Sequence, residues 1–260
     1  MKSMIQSVFI LMTLLLTGCN SEGAFNSAPV VVEITVTPSP ILLLEGRTQQ
    51  LVAMAKFDDG TESDVSGSVT WAIVGDPTIA EVSASGLVTV NTKGDIEITA
   101  SKDGIISNTV TVNVCSTADI CLDIFDTGSG KLFTNSPSVV YLDSIGGSAT
   151  NGQYPEIGIL GPEGFFYNFT LSQANALCDT YNTQSIGGRT NWRLATRDEL
   201  RVELFDTYGE MYVARGWPIS YAYWSATADG PNYHDVSLVS GIISSSTTSL
   251  THYASCVSNP

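Results

Sequence analysis

The sequence predicts a mostly β protein in which an antiparallel sandwich precedes a C-terminal α+β domain. Three observations point there. Across residues 30–114, short runs rich in Val, Ile and Thr alternate with turn signals, the pattern of half-buried strands. Helical periodicity is confined to two segments in the C-terminal half, beginning near residues 170 and 196. The chain is 43% hydrophobic and only 14% charged, and its 260 residues give room for two modest domains.

The first residues, MKSMIQSVFILMTLLLTGCN, hold a basic start at Lys2, an apolar run over residues 8–16, and then Leu16-Thr17-Gly18-Cys19. This reads as a signal peptide over residues 1–18, shorter than the roughly 20 apolar residues a membrane helix needs. The final four residues resemble the bacterial lipobox. That resemblance implies lipidation of Cys19, which becomes the first mature residue and ties the protein to a membrane. Asn20 after the Cys, rather than Asp, implies an outer-membrane destination by the Gram-negative sorting pattern. Residues 19–28 are small and polar, as a tether is expected to be.

The strand-like runs that follow are VVVEITVTP, TQQLVAMAKF, VTWAIV, GLVTV, IEITASKDG and NTVTVNV, with Asp-Gly turns at Asp59-Gly60 and Asp103-Gly104. The acidic FDDGTESD reads as a solvated hairpin. In their order and spacing, ITVTPSP, Glu45-Gly46, VTW, DPTIAEVSASGLVTV and the closing NTVTVNV resemble the bacterial immunoglobulin-like group 2 domain, over residues 29–114. The resemblance implies an immunoglobulin-like β-sandwich acting as a spacer. It places Trp71, Ile79, Val82 and Leu87 in the core and makes Gly86 a tight turn.

With Cys19 lipidated, four cysteines remain in an exported protein, an even number that suggests disulfides with three possible pairings. None of the spacings resembles a zinc site. A Cys115 to Cys121 bridge would pin residues 115–121 as a short linker at the end of the sandwich.

Residues 122–260 form the second domain. TLSQANALCDTY puts Leu171, Ala174, Leu177, Cys178 and Tyr181 on one helix face, with Thr170 or Ser172 as N-cap. TRDELRVELF begins with a capping box between Thr196 and Glu199 and buries Leu200 and Leu204. The arginines of GGRTNWRLATRDELR fall at 189, 193, 197 and 201, but the helix starts only after Thr196, so they do not line one face. Asp198, Glu199 and Glu203 neutralise the segment. The series of helix Cys, NWRLATRDEL, YWSAT and a final Cys-Val resembles the Lcl-type C-terminal domain of collagen-like adhesins. The resemblance implies a C-type-lectin-like fold with Cys178 bridged to Cys256, and makes Trp192, Arg193, Trp224 and Ser225 packing residues. Ala195, Ala226 and Ser255 depart from the family pattern.

Charge and motifs exclude several functions. The chain carries a net charge of -15, and residues 122–260 carry six basic against thirteen acidic residues, or -7. Nucleic acid, which needs clustered cations, is not a partner, and a sulfated polyanion would meet a repulsive field. Asp126-Thr127-Gly128 has no second copy to form an aspartic-protease pair. Gly130-Lys131 lacks the rest of a phosphate loop, and no Gly-x-Ser-x-Gly elbow occurs. The reading is of a non-enzyme with no cofactor.

The ligand candidates lie in YGEMYVARGWPISYAYW and TADGPNYHD, which gather Trp217, Tyr221, Tyr223, Asp229, Asn232, Tyr233, His234 and Asp235. Aromatics beside polar groups suit a sugar face or a protein hot spot, and Asp229, Asn232 and Asp235 carry oxygens of the kind calcium takes. The expectation is a lipid-anchored envelope protein of the intimin and invasin type, its spacer presenting a lectin-like head to a glycan or protein on a host or neighbouring cell. The alternative is a periplasm-facing structural lipoprotein that docks onto an envelope complex.

Overall fold

The computed structural model describes residues 28–260. The signal peptide, Cys19 and all of the tether except Ala28 lie outside the described residues. No described helix is long and apolar enough to cross a membrane.

The first domain is built as the alternation of its strands demands. β1 (Val31–Thr37), β4 (Val52–Phe57) and β5 (Glu62–Asp64) make one antiparallel sheet. β2 (Ile41–Leu44), β6 (Thr70–Val74), β9 (Gly94–Lys102), β10 (Ile105–Ile106) and β11 (Val110–Cys115) make the second, where β9 is central and β2 runs parallel to β11 at an edge. β3 (Thr48–Gln50), β7 (Ala80–Val82) and β8 (Leu87–Val90) form a small third sheet. The enclosed faces bury Ile34, Val36, Leu51, Val88, Val90, Ile96, Ile98, Val110 and Val112. Asp103 and Gly104, both at positive φ, form the tight turn between β9 and β10 that Asp-Gly predicts. Asp59 Oδ1 accepts from Thr61 N–H at 2.9 Å and so closes the acidic hairpin.

One predicted core position is corrected. Leu87 is 37% exposed, because Val88 and Val90 on β8 face inward and the two-residue period turns Leu87 out. Trp71, Ile79 and Val82 are half-buried against the core. Gly86 makes the predicted turn at φ 84°, where a Cβ would lie 2.6 Å from the Trp71 indole, so only glycine fits.

The second domain is α+β. β12 (Ile124–Asp126), β13 (Leu132–Thr134), β16 (Arg193–Leu194) and β20 (Cys256–Ser258) form a sheet in the order β12-β13-β20-β16. β14 (Gln153–Glu156) pairs with β15 (Gly164–Tyr167), and β17 (Tyr223–Asp229), β18 (Asn232–Val236) and β19 (Ile243–Ser246) make a three-stranded sheet. The helices are α1 (Val139–Ser144), α2 (Leu171–Thr183), α3 (Asp206–Tyr208) and α4 (Met211–Arg215), and a π-helical turn, Glu199–Phe205, leads into α3. Thr170 caps α2 in a capping box with Gln173, and all five residues predicted for its inner face are buried. Cys178 bridges Cys256 with Cα atoms 5.6 Å apart, and Cys115 bridges Cys121 at 6.0 Å. Trp192 and Trp224 are core, their indoles donating to Ile186 O at 3.0 Å and Phe169 O at 2.7 Å. Ser225 is buried beside them.

Candidate functional site

Three polar or exposed constellations stand out among the described residues. The first is the strand-to-helix corner. Thr196 and Glu199 form the predicted capping box, with Thr196 N–H donating to Glu199 Oε2 at 2.8 Å and Glu199 N–H to Thr196 Oγ1 at 3.3 Å. Arg193 grips the same carboxylate with two bonds, at 2.6 and 2.8 Å, and Lys131 bridges Glu199 and Glu203. Arg197 pairs with Asp198, Arg201 with Asp206, and Arg189 donates to backbone carbonyls, so no two of the four arginines share a partner. The corner is scaffold.

Burial alone would raise the Glu199 carboxyl, but the Arg193 fork and the Thr196 N–H outweigh it and hold the group down to about 2, from an ordinary 4.5. A lowered acid means stability that is complete above about pH 4.5 and is lost as pH falls toward 2. At about 1.4 kcal/mol per unit, the carboxylate contributes up to roughly 3 kcal/mol. Glu199→Gln is therefore expected to lower stability at pH 7 and to flatten its decline between pH 4.5 and 2, read by urea unfolding at a series of pH values. An unchanged acid slope would show that other carboxylates govern it.

The second constellation joins the domains. Asp123 is 2% exposed and accepts from Arg215 Nε at 2.8 Å, Arg215 Nη2 at 2.5 Å and Trp217 Nε1 at 2.8 Å. The Arg215 guanidinium also stacks 3.9 Å from the Phe125 ring centre. Arg47 of the sandwich approaches the same carboxylate at 3.6 Å, and Lys93 pairs with Asp119. The Arg215, Trp217 and Phe125 contacts lie within the second domain, and Arg47 is the residue of the first that reaches their carboxylate. Asp123 and Arg215 are 92 positions apart, so no local pattern announces them.

The predicted ligand residues are divided by the fold. Trp217 and Tyr223 are fully buried and Asp235 is 4% exposed, which corrects their assignment as contact residues. Trp217 serves Asp123, the Tyr223 hydroxyl donates to Pro218 O, and Asp235 lies 3.9 Å from His252. Asp229 and Asn232 face each other at the tip of the β17–β18 hairpin, with Tyr233 and His234 half-buried behind them. At about 3.3 Å per residue, that tip is roughly 20 Å along the strand from Tyr223, so the candidates do not make one patch. Asp235 lies three positions from Asn232, sunk between Trp224 and Ser244, so the three oxygen carriers do not converge on an ion.

Tyr221 belongs to the third constellation. Its ring meets Tyr154 edge-on at 4.8 Å, beside a shallow cleft of about 310 Å³ lined by Tyr154, Pro155, Ile157, Ile159, Leu160 and Ser220. Ile157 and Ile159 are 70% and 67% exposed, and the Tyr212 hydroxyl donates to Gly158 O at 3.1 Å. Below, the buried Glu156 carboxylate accepts from Ser220 N–H, Ser220 Oγ and Tyr253 Oη and so holds this wall rigid. Two isoleucines held at an exposed turn beside paired tyrosines form an apolar face of the kind that marks interaction sites. The signal was present in EIGILGPEG, where apolar residues sit inside a Gly and Pro turn segment.

Comparison with known proteins bears on the first domain. The family model described as bacterial Ig-like domain (group 2) matches residues 30–114. Ice-binding protein 1 of Shewanella frigidimarina is 35% identical over 94 residues, 34% of this chain, and the chain spans 10% of that protein's length. Among solved structures, the Yersinia pseudotuberculosis adhesin InvE is similar at 17% identity and a TM-score of 0.40, covering 87% of this chain and 70% of its own. An intimin mutant of EHEC O157:H7 is similar at 14% identity and a TM-score of 0.30, with 88% and 100% covered. Invasin, a bacterial integrin-binding protein, is similar at 12% and 0.30, with 88% and 39% covered. The strands, the buried alternation and the family match agree: residues 30–114 are a bacterial Ig-like domain of group 2.

Proposed function

We propose that this protein is a lipid-anchored, adhesin-like binding protein of the bacterial cell envelope, in which the Ig-like domain is a spacer and residues 122–260 are a C-type-lectin-like head. The observation that carries the reading is the exposed apolar face formed by Tyr154, Ile157, Ile159, Leu160 and Tyr221 on the head. Aliphatic tips with few free polar groups suit a protein ligand better than a sugar, whose hydroxyls need hydrogen-bonding partners. The lipobox-like Leu16-Thr17-Gly18-Cys19 supports anchoring through Cys19 at the outer membrane, and the disulfides suit a compartment outside the cytoplasm.

The test has two arms. Antibody labelling of intact cells asks whether the head is outside, and the full-length protein is then used to capture partners from host-cell surface proteins and, separately, on a glycan array. Ile157→Ser/Ile159→Ser is expected to abolish capture of a protein ligand, since a central hot spot typically contributes about 2 kcal/mol or more per residue. The double change leaves stability within about 0.5 kcal/mol, because both side chains are exposed. Labelling that never reaches the head in intact cells would sink the surface reading in favour of a periplasm-facing role, and capture that survives both serines would remove this face from it.

A further inference from the structure

The cleft between the domains has a feature that the Arg47–Asp123 contact does not require. It is a cavity of about 600 Å³ with β2 as one wall and Leu122, Ile124 and Ile186 of the second domain among the residues opposite. β2 is an edge strand, paired on one side only, with β11. Glu45 N–H donates to Cys115 O, so the backbone groups of residues 41, 43 and 45 face β11, and those of Leu42 and Leu44 face the other way. Among the described residues the Leu42 N–H and C=O and the Leu44 N–H make no hydrogen bond, and Leu42 is 50% exposed.

Arg47 lines the same cleft. Its guanidinium makes no hydrogen bond among the described residues, and the nearby Asp123 carboxylate, 3.6 Å away, is already taken by Arg215 and Trp217. Asp126, also in the lining, turns its Oδ1 to the Gly128 and Gly130 amides. The cleft therefore offers three things at once: a free strand edge, apolar walls and a guanidinium that is ion-paired with Asp123 at 3.6 Å and keeps its N–H donors free of hydrogen bonds. A free edge accepts an extended backbone, apolar walls accept alternate side chains, and the guanidinium accepts a carboxylate.

We propose that this cleft is a second binding site, in which an extended acidic and apolar polypeptide segment adds as a strand along the free edge of β2 with a carboxylate on Arg47. The site is separate from the apolar face of the head and does not depend on it.

The probe is a fluorescently labelled pentapeptide, acetyl-Val-Glu-Val-Glu-Val-amide, titrated against the full-length protein by anisotropy, with hydrogen exchange followed across residues 38–47. Saturable binding with slowed exchange in β2 is expected. Leu42→Pro removes one outward donor without touching the β2–β11 ladder, and edge strands tolerate proline. Arg47→Gln removes the charge and leaves the backbone alone. Each is expected to weaken binding about tenfold, Leu42→Pro by removing a backbone donor and Arg47→Gln, like replacing both Glu of the peptide by Lys, by removing a charge-assisted bond. Absence of saturable binding overturns the proposal, as does binding without protection of β2, equal binding of the Lys peptide, or undiminished binding by Arg47→Gln.

Discussion

Asp123→Ala is expected to destabilise the second domain by about 3–5 kcal/mol, the range for removing one partner of a buried ion pair. The carboxylate is 2% exposed and takes two bonds from Arg215 and one from Trp217. Its removal leaves a guanidinium, 13% exposed and pressed on Phe125, with no counter-charge, and a buried indole N–H with no acceptor. Each buried orphan costs about 1–3 kcal/mol and the charged one more, so the two together account for the range. Asp123→Asn keeps the shape but loses the charge and half the acceptors, and is expected to fall between wild type and Ala. Arg47→Ala, which removes a half-exposed cation with no hydrogen bond, is expected to cost under about 1 kcal/mol. Urea unfolding of the three variants checks the order. A loss below 1 kcal/mol for Asp123→Ala would mean that water reaches this carboxylate and that the domains are held by something else.

Legibility in the sequence followed the range of the interactions. The capping box at Thr196, the Asp-Gly turn at Asp103-Gly104 and the inner face of α2, with Thr170 as one of two N-cap candidates, were readable because each is set by contacts between residues no more than four positions apart. Leu87 was misplaced by one strand position, and a slip of one residue exchanges inside for outside in a two-residue period. Trp217, Tyr223 and Asp235 looked like ligand residues because aromatic and acidic types alone do not tell a binding loop from a core polar network. Only the fold shows that Trp217 points at Asp123 and that Asp235 lies beside His252. The Asp123 to Arg215 pair and the edge-on contact of Tyr154 with Tyr221 join segments dozens of residues apart, and nothing local encodes them. The open edge of β2 was hidden for the same reason, since its freedom depends on which strand fails to pair with it.

Loss of the Cys178–Cys256 bridge is expected to lower the stability of the second domain alone. The Cys178–Cys256 bridge spans 78 positions, and in the chain-entropy model closing such a loop contributes roughly 4–5 kcal/mol. The Cys115–Cys121 bridge spans 6, for which the same relation gives roughly 2 kcal/mol. The long bridge ties α2 to β20, an inner strand of its sheet, so its loss frees the pairings on both sides, Leu194 with Cys256 and Phe133 with Val257. The sandwich encloses its own core from Val31 to Val114 and contains neither cysteine of that bridge. Cys178→Ala/Cys256→Ala is therefore expected to move the second domain's urea transition to much lower denaturant and to leave the sandwich transition in place. Trp192, Trp217 and Trp224 report the second domain and Trp71 the first. A single coincident shift of all four indoles would show instead that the Asp123 network couples the domains into one cooperative unit, in which case Asp123→Ala should separate them. The two variants together thus decide whether the two domains are coupled through the Arg47–Asp123 contact or unfold as independent units.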